Sequence, residues 1–188
     1  MNVRWLVVVV VLGATTTLAS PVRGTAESLA QVVLQMPDTL RTRMLASLAQ
    51  GDLAGAVSMW ELEMGRSAPK WLQAFQSAFS SHNRKAGPCI EVARSIATGF
   101  RHLGGKPSFI KFTSRGSDYL AFEVRAGEPL STVQLSNRSI HVVVQLRNRI
   151  YDAFTGPQGL TMDEYLKRLM TEEGARITST VLSSLDGL

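Results

Sequence analysis

Cysteine is nearly absent: the 188-residue chain has one, Cys89. A lone cysteine cannot form an internal disulfide, so the fold must hold without that staple. Three readings of Cys89 remain at this level: a small buried apolar side chain, half of an intermolecular bridge, or a reactive thiol. One cysteine and three dispersed histidines (His82, His102 and His141) do not have the spacing of a zinc site, so no metal is expected. No glycine-rich loop opens a helix, since "GFRHLGG" closes one, and no phosphate-bearing cofactor is expected. Charged residues are only 19% of the chain, and the formal net charge is +5. The Lys and Arg residues are scattered without aromatic interleaving, which argues against nucleic acid as a partner. Internal repeats and low-complexity tracts are lacking as well.

Long apolar runs are scarce too. The one present, "WLVVVVVLGA" (Trp5–Ala14), is too short to span a bilayer and follows the positive Arg4. It reads as the core of a signal peptide occupying residues 1–24. The small residues of "TTTLASPVRG" place cleavage after Ala19 or after Gly24. Removing Arg4 and Arg23 with this segment takes the net charge from +5 to +3. No cysteine lies near the cleavage site, so no lipid anchor is expected. The rest of the chain is expected to be exported, periplasmic or extracellular, with no stable membrane anchor. Its 45% apolar content is that of a globular domain with a real core.

Beyond residue 24 the hydrophobic period changes once. Residues 25–82 read as a helical segment. Leu40, Met44, Leu45 and Leu48 share a helical face before Gly51, and Leu53, Val57 and Trp60 share another. "SAPKWLQAFQSAFSS" reads as a third helix, with Ser67 as its cap and Pro69 in its first turn. "HNRKAGPC" is a polar loop, and "CIEVARSIATGFRHLGG" then reads as a helix from about Pro88 to Leu103. Past Pro107 the pattern alternates: "SFIKFTS", "DYLAFEVRA" and "STVQL" read as strands, and "SIHVVVQLRNRIYDAF" as a hairpin. "TMDEYLKRLM" opens with a capping box, Thr161 and Glu164, and "ARITSTVLSSLDGL" reads as a terminal helix. The order predicts an α+β architecture.

Cys89 stands where that central helix begins. Unpaired N–H groups and the helix dipole favour a thiolate there, and the same N–H groups face the place where an oxyanion would develop in acyl transfer. A thiolate of this kind needs a base, usually His. His102 is 13 residues along the same helix, about 20 Å away at 1.5 Å per residue, too far to serve. His82, in the loop before Cys89, stays open as an alternative. His141 opens an apolar strand, where a polar ring needs a partner. A hairpin with two central turn residues would pair Gln145 with Ile150 and Val143 with Asp152. His141 and Asp152 would then be diagonal neighbours on one face, roughly 7–8 Å apart at their backbones. Asp152 could orient the ring of His141 as the third member of a triad does. The plainer reading is a hydrogen-bonded strand histidine beside a strand-end aspartate. Asn83, six residues before Cys89, is either an oxyanion donor or a loop-capping residue. The sequon at Asn137 is short enough to arise by chance.

"GPCIEVARSIATGF" followed by "IHVVVQLRNRIYDAFTGPQGLTMDEYLKRL" resembles the papain-fold toxin domains of bacterial polymorphic toxin systems. The shared features are a Cys followed by a Val-Ala helix, a His-Val-x-Val strand and a Tyr-Asp strand end. A Pro-x-Gly turn and a helix opening with an acidic residue before an aromatic complete the match. The resemblance covers about residues 83–170 and not the N-terminal helices. It implies a papain-like catalytic domain over 83–188, with its central helix packed on an antiparallel sheet. It implies a thiol triad of Cys89, His141 and Asp152, and a peptidase or glutamine deamidase acting on a protein substrate, with an immunity protein as a further partner. Two departures stand out: such toxins often end very large secreted proteins, and no pocket motif here selects one reaction. A transglutaminase-like enzyme, a cell-wall amidase and an inactive papain-like binding module remain alternatives.

Overall fold

The computed structural model describes residues 36–124, 131–136 and 138–188. The signal segment expected over residues 1–24, the start of the helical segment and the sequon at Asn137 lie outside the described residues. Helix α1 (Asp38–Ala49) buries Leu40, Met44 and Leu48, the apolar row of its sequence. Gly51 follows it with φ 83, a left-handed backbone that suits glycine. Helix α2 (Leu53–Met64) is capped by Asp52, whose side chain accepts the Gly55 N–H at 2.8 Å. A Cβ at position 55 would collide with that carboxylate, so this helical glycine belongs to the cap.

Helix α3 (Lys70–Ala78) starts later than expected. Ser67 is not its cap: Pro69 immediately precedes the first helical residue, in extended backbone with φ −67 and ψ 159, and no side chain caps the end. A proline ring disfavours helical backbone in the residue before it, which keeps Ala68 out of the helix. Helix α4 (Cys89–His102) buries Val92, Ala93, Ile96, Ala97 and Phe100. Pro88 stands one position outside it, so Cys89 is the first helical residue.

The strands are β1 (Ser108–Arg115), β2 (Leu120–Val124), β3 (Ser131–Ser136), β4 (Ile140–Leu146), β5 (Arg149–Tyr151), β6 (Leu160–Thr161), β7 (Leu169–Met170) and β8 (Arg176–Leu182). Helix α5 (Met162–Arg168) lies between β6 and β7. An antiparallel five-stranded sheet runs β6-β5-β4-β1-β8, and a three-stranded one runs β3-β2-β7. The architecture is therefore α+β. The terminal helix expected in "ARITSTVLSSLDGL" is instead strand β8, paired along the edge of β1 from Phe109↔Leu182 to Arg115↔Arg176. Ile177, Thr178, Thr180 and Val181 are β-branched and stiff at χ1, which suits a pleated strand more than a helix.

Strand pairing sorts the large sheet into two faces. One row, Phe109↔Val144↔Tyr151, faces α4: Phe100 meets Tyr151 at 4.7 Å, and the Arg101 guanidinium lies 5.6 Å from the Phe109 ring centre. On the other face Ile110, Phe112, Val143 and Ile150 pack with Leu120, Phe122 and Leu135 of the small sheet, and with Tyr165 and Leu169. Each fully buried side chain of this kind contributes about 1.5–3 kcal/mol.

Residues 37–188 form one compact unit, in which the helices before residue 83 pack with the chain after it. The packing is visible between α3 and α4, where Phe75 packs edge-on against Phe100 with ring centres 5.2 Å apart. Phe75 also covers Gly99, where a Cβ would overlap its ring. Replacement of Gly99 by Ala is expected to cost about 1–3 kcal/mol of stability through this overpacking, despite alanine's better helix propensity. Denaturant unfolding measures it, and a stabilised variant would contradict the close approach.

Candidate active site

The turn of the β4–β5 hairpin sets the register of the strands it joins. Gln145 pairs with Ile150 and Leu146 with Arg149, the register expected from a two-residue turn, and Arg147 takes the positive φ of 57. Primed hairpin turns need such a value because their twist matches that of the strands. Strand β5 ends at Tyr151, opposite Val144, so β5 leaves residues 140–143 of β4 uncovered. Asp152 is thus the first residue of a turn, not a strand residue.

The start of β4 is pinned separately. Ser139 has φ 59 and is held through both its backbone and its side chain. Its N–H and hydroxyl donate to the backbone and carboxylate oxygens of Asp118, at 3.2 and 2.7 Å, and its carbonyl accepts from Ser114 N–H at 2.8 Å. Asp118 had no evident role in the sequence. These contacts set where His141 enters the sheet, opposite Phe112.

His141 and Asp152 are 3% and 2% exposed, and His141 Nε2 lies 3.1 Å from Asp152 Oδ2. Asp152 is held on every side. Its Oδ1 accepts the backbone N–H groups of Phe154 at 2.8 Å and Thr155 at 2.9 Å. Its Oδ2 accepts the Tyr165 hydroxyl at 2.8 Å as well as the imidazole. Burial alone would push this carboxyl up, but the His141 charge and hydrogen bond, with those from Tyr165 and Thr155, hold it below the usual carboxylate range. Tyr165 was legible only as an apolar position of its helix, because its partner lies 13 residues upstream and meets it only in the folded chain.

The second ring nitrogen, Nδ1, is buried and has no hydrogen-bond partner among the described residues. Cys89 lines the same cleft, and it and the ring shift each other's protonation. Burial raises the Cys89 thiol, yet the adjacent His141, with the backbone N–H groups of Val142 and Ile90, brings it below the ordinary thiol value. Val142 lies in the part of β4 that β5 leaves open. In return, burial disfavours the His141 cation, while Asp152 and then Cys89 favour it and raise the group to about 9. The three expected residues, Cys89, His141 and Asp152, therefore come together in one cleft, with the thiol shifted down and the imidazole shifted up beside a buried carboxylate.

They line one small cleft with Val92, Ala153, Phe154, Asn83 and Lys85. Arg84 Nε donates to Ala153 O at 3.1 Å, which ties the loop before Cys89 to the turn after Asp152. Asn83 donates its amide to Ser77 O at 2.8 Å, which favours its loop-capping reading over an oxyanion role. The remaining histidines are elsewhere. His82 is exposed, 3.5 Å from Lys85 Nζ, and His102 stacks on Trp71 at 4.5 Å. Among the described residues no group of three or more His, Cys, Asp or Glu is placed to hold a metal.

The two buried ionisable partners make stability depend on pH in opposite directions. His141 is raised from 6.5 to about 9 in the fold, so its contribution is full below pH 6.5 and is lost as pH rises through about 9. Asp152 is lowered, so its contribution is full above its ordinary value of 3.8 and is lost on acidification through the lower folded value. The lowered Cys89 thiol contributes with the opposite sign on the alkaline side and offsets His141 there, so the measurement uses Cys89→Ser. In that background urea midpoints against pH are expected to fall at both ends, and adding Asp152→Asn should shrink both limbs. A flat profile above pH 6.5 in Cys89→Ser would contradict the buried pair. No protein-family model, curated protein or solved structure matches this chain.

Proposed function

We propose that this protein is an exported papain-like cysteine enzyme, a toxin or effector that acts on amide bonds of a protein substrate as a peptidase or glutamine deamidase. The observation that carries the proposal is the convergence on one cleft of Cys89, the first residue of α4, with the His141–Asp152 pair. The resemblance of residues 83–170 to papain-fold toxin domains supports the same reading.

In this reaction Cys89 Sγ attacks the amide carbonyl carbon, and the carbonyl electron pair moves to oxygen. Backbone N–H groups at the start of α4 are the donors for that oxyanion, since the Asn83 amide is already engaged with Ser77. The intermediate collapses as the C–N bond breaks, and the proton held by His141 passes to the departing nitrogen. An amine, or ammonia from a glutamine side chain, leaves behind a thioester on Cys89. Water then attacks the thioester with neutral His141 taking its proton. The products are a carboxylic acid and the regenerated thiolate–imidazolium pair. Asp152 stays ionised throughout and orients the ring.

An inactive binding module is the weaker reading. Burying a carboxylate and an imidazolium costs several kcal/mol of desolvation per ion, and a binding module makes no use of the lowered Cys89 thiol that stands beside the pair. Among the described residues no helix is long and apolar enough to cross a membrane. Export and an immunity protein that protects the producing cell complete the proposal.

Expression in a bacterial and in a eukaryotic host, wild type beside Cys89→Ala, tests it. Growth arrest with the wild type alone is expected, and proteome mass spectrometry should find new peptide termini or glutamine-to-glutamate conversions that the variant lacks. Identical growth and identical proteomes from wild type and variant would overturn the enzyme reading.

A further inference from the structure

We propose that Tyr165 is a positioning residue of this site: its hydroxyl fixes the Asp152 carboxylate so that His141 stays turned with its free nitrogen toward Cys89. The consequence for catalysis rests on the enzyme reading above; the positioning itself does not.

The placement begins in the sequence. Thr161 and Glu164 form a reciprocal capping box, with Glu164 N–H donating to Thr161 Oγ1 at 3.3 Å and Thr161 N–H to Glu164 Oε2 at 2.9 Å. This box fixes where α5 begins and hence which face Tyr165, the next residue, presents. Tyr165 is completely buried, its ring stacked 5.4 Å from Phe112 and tilted 4.9 Å from Phe122. Phe112 is the residue paired across the sheet with His141. A tyrosine placed here only for its volume would leave a hydroxyl to be satisfied, and phenylalanine would serve that purpose better. This hydroxyl instead donates to Asp152 Oδ2, the oxygen that also meets His141 Nε2.

Oδ1 is held by the Phe154 and Thr155 N–H groups, both from the turn Asp152 itself begins. They tether one oxygen but leave the carboxylate plane to turn about it. Tyr165 supplies the donor that stops this rotation, and it comes from a separate element. Among the described residues the charged and titratable groups at the His141–Asp152 pair are Cys89 from α4, Tyr165 from α5 and Lys85, which lines the same cleft from the loop before α4. Burial and the neighbouring Asp152 charge keep the phenol protonated well above its ordinary range, so it remains a donor at every working pH.

The test uses the full chain carrying Cys89→Ser, which removes thiol chemistry from the readout, with the His141 ring titrated by NMR. Tyr165→Phe is expected to lower the His141 midpoint by about one pH unit, since a hydrogen bond to a charged group is being loosened. With Asp152→Asn also present, adding Tyr165→Phe should shift nothing further. An unchanged midpoint overturns the proposal. So does a raised one, the sign given by a phenol that merely competes with imidazole for Oδ2. An equal fall in both backgrounds also overturns it, because it marks general loosening of the core. Should the phenylalanine variant fail to fold, exchange of the Tyr165 hydroxyl proton is compared in Cys89→Ser with and without Asp152→Asn. Exchange roughly tenfold faster without the carboxylate supports the lock, and equal rates overturn it. The expression experiment with Cys89→Ala can fail while these shifts appear, so loss of the enzyme reading and loss of the positioning role are distinguishable.

Discussion

A carboxylate taken out of water must find donors for its oxygens, and Asp152, 2% exposed, finds four. Two come from its own turn, one from α5 and one from His141 on β4. Because these donors lie on three separate pieces of chain, satisfying one charge fixes where those pieces stand. The hairpin must have the observed register, α5 must begin at Met162, and the His141 ring must turn its Nε2 inward. Its Nδ1 is left buried without a hydrogen-bond partner among the described residues. Net stabilisation from such a buried pair is small once desolvation is counted, but removing one partner leaves the other charge exposed to an apolar core. The arrangement therefore defines a geometry more than it adds stability.

The early end of β5 is the second requirement. Had it continued past Tyr151, a strand would lie along residues 140–143 and the N–H of Val142 would belong to a ladder. Because it stops there, that N–H lies outside the β4–β5 ladder and helps to lower the Cys89 thiol, and Cys89 lines one cleft with His141 and Asp152. The link from Arg84 to Ala153 joins the two chain segments that border this opening. Local sequence explains the stop: Asp152 accepts hydrogen bonds from residues two and three positions ahead, a turn chemistry typical of aspartate.

Much of this is legible in the sequence where a short-range rule applies. The two-residue turn fixes the pairing of Gln145 with Ile150, and the placement of His141 and Asp152 rests on it. The capping box at Thr161 and Glu164 announces α5, and the apolar spacing from Cys89 onward announces α4. The parts that are not legible depend on contacts distant in sequence. Tyr165 reads as core because nothing nearby reveals its hydroxyl's partner. Asp118 holds Ser139 across 21 residues of chain. β8 reads as a helix although it is rich in Thr, Ile and Val, because its partner, the free edge of β1, exists only in the folded chain. The helix start expected at Ser67 fails for a local reason, the backbone restriction that Pro69 places on Ala68. The proposed papain-like reading rests on motif resemblance and on the cleft, while the antiparallel sheets and packed helices are seen directly.

The central claim is that His141 holds Cys89 as a thiolate. The most direct measurement is the rate of Cys89 alkylation by iodoacetamide in the folded protein at about pH 6, where an ordinary thiol is almost wholly protonated. Mass spectrometry locates the adduct. Rapid modification of the folded chain is expected, with a rate roughly tenfold or more slower in His141→Ala, set by loss of the paired cation. A Cys89 that reacts only after unfolding, or equally fast without His141, would contradict the claim.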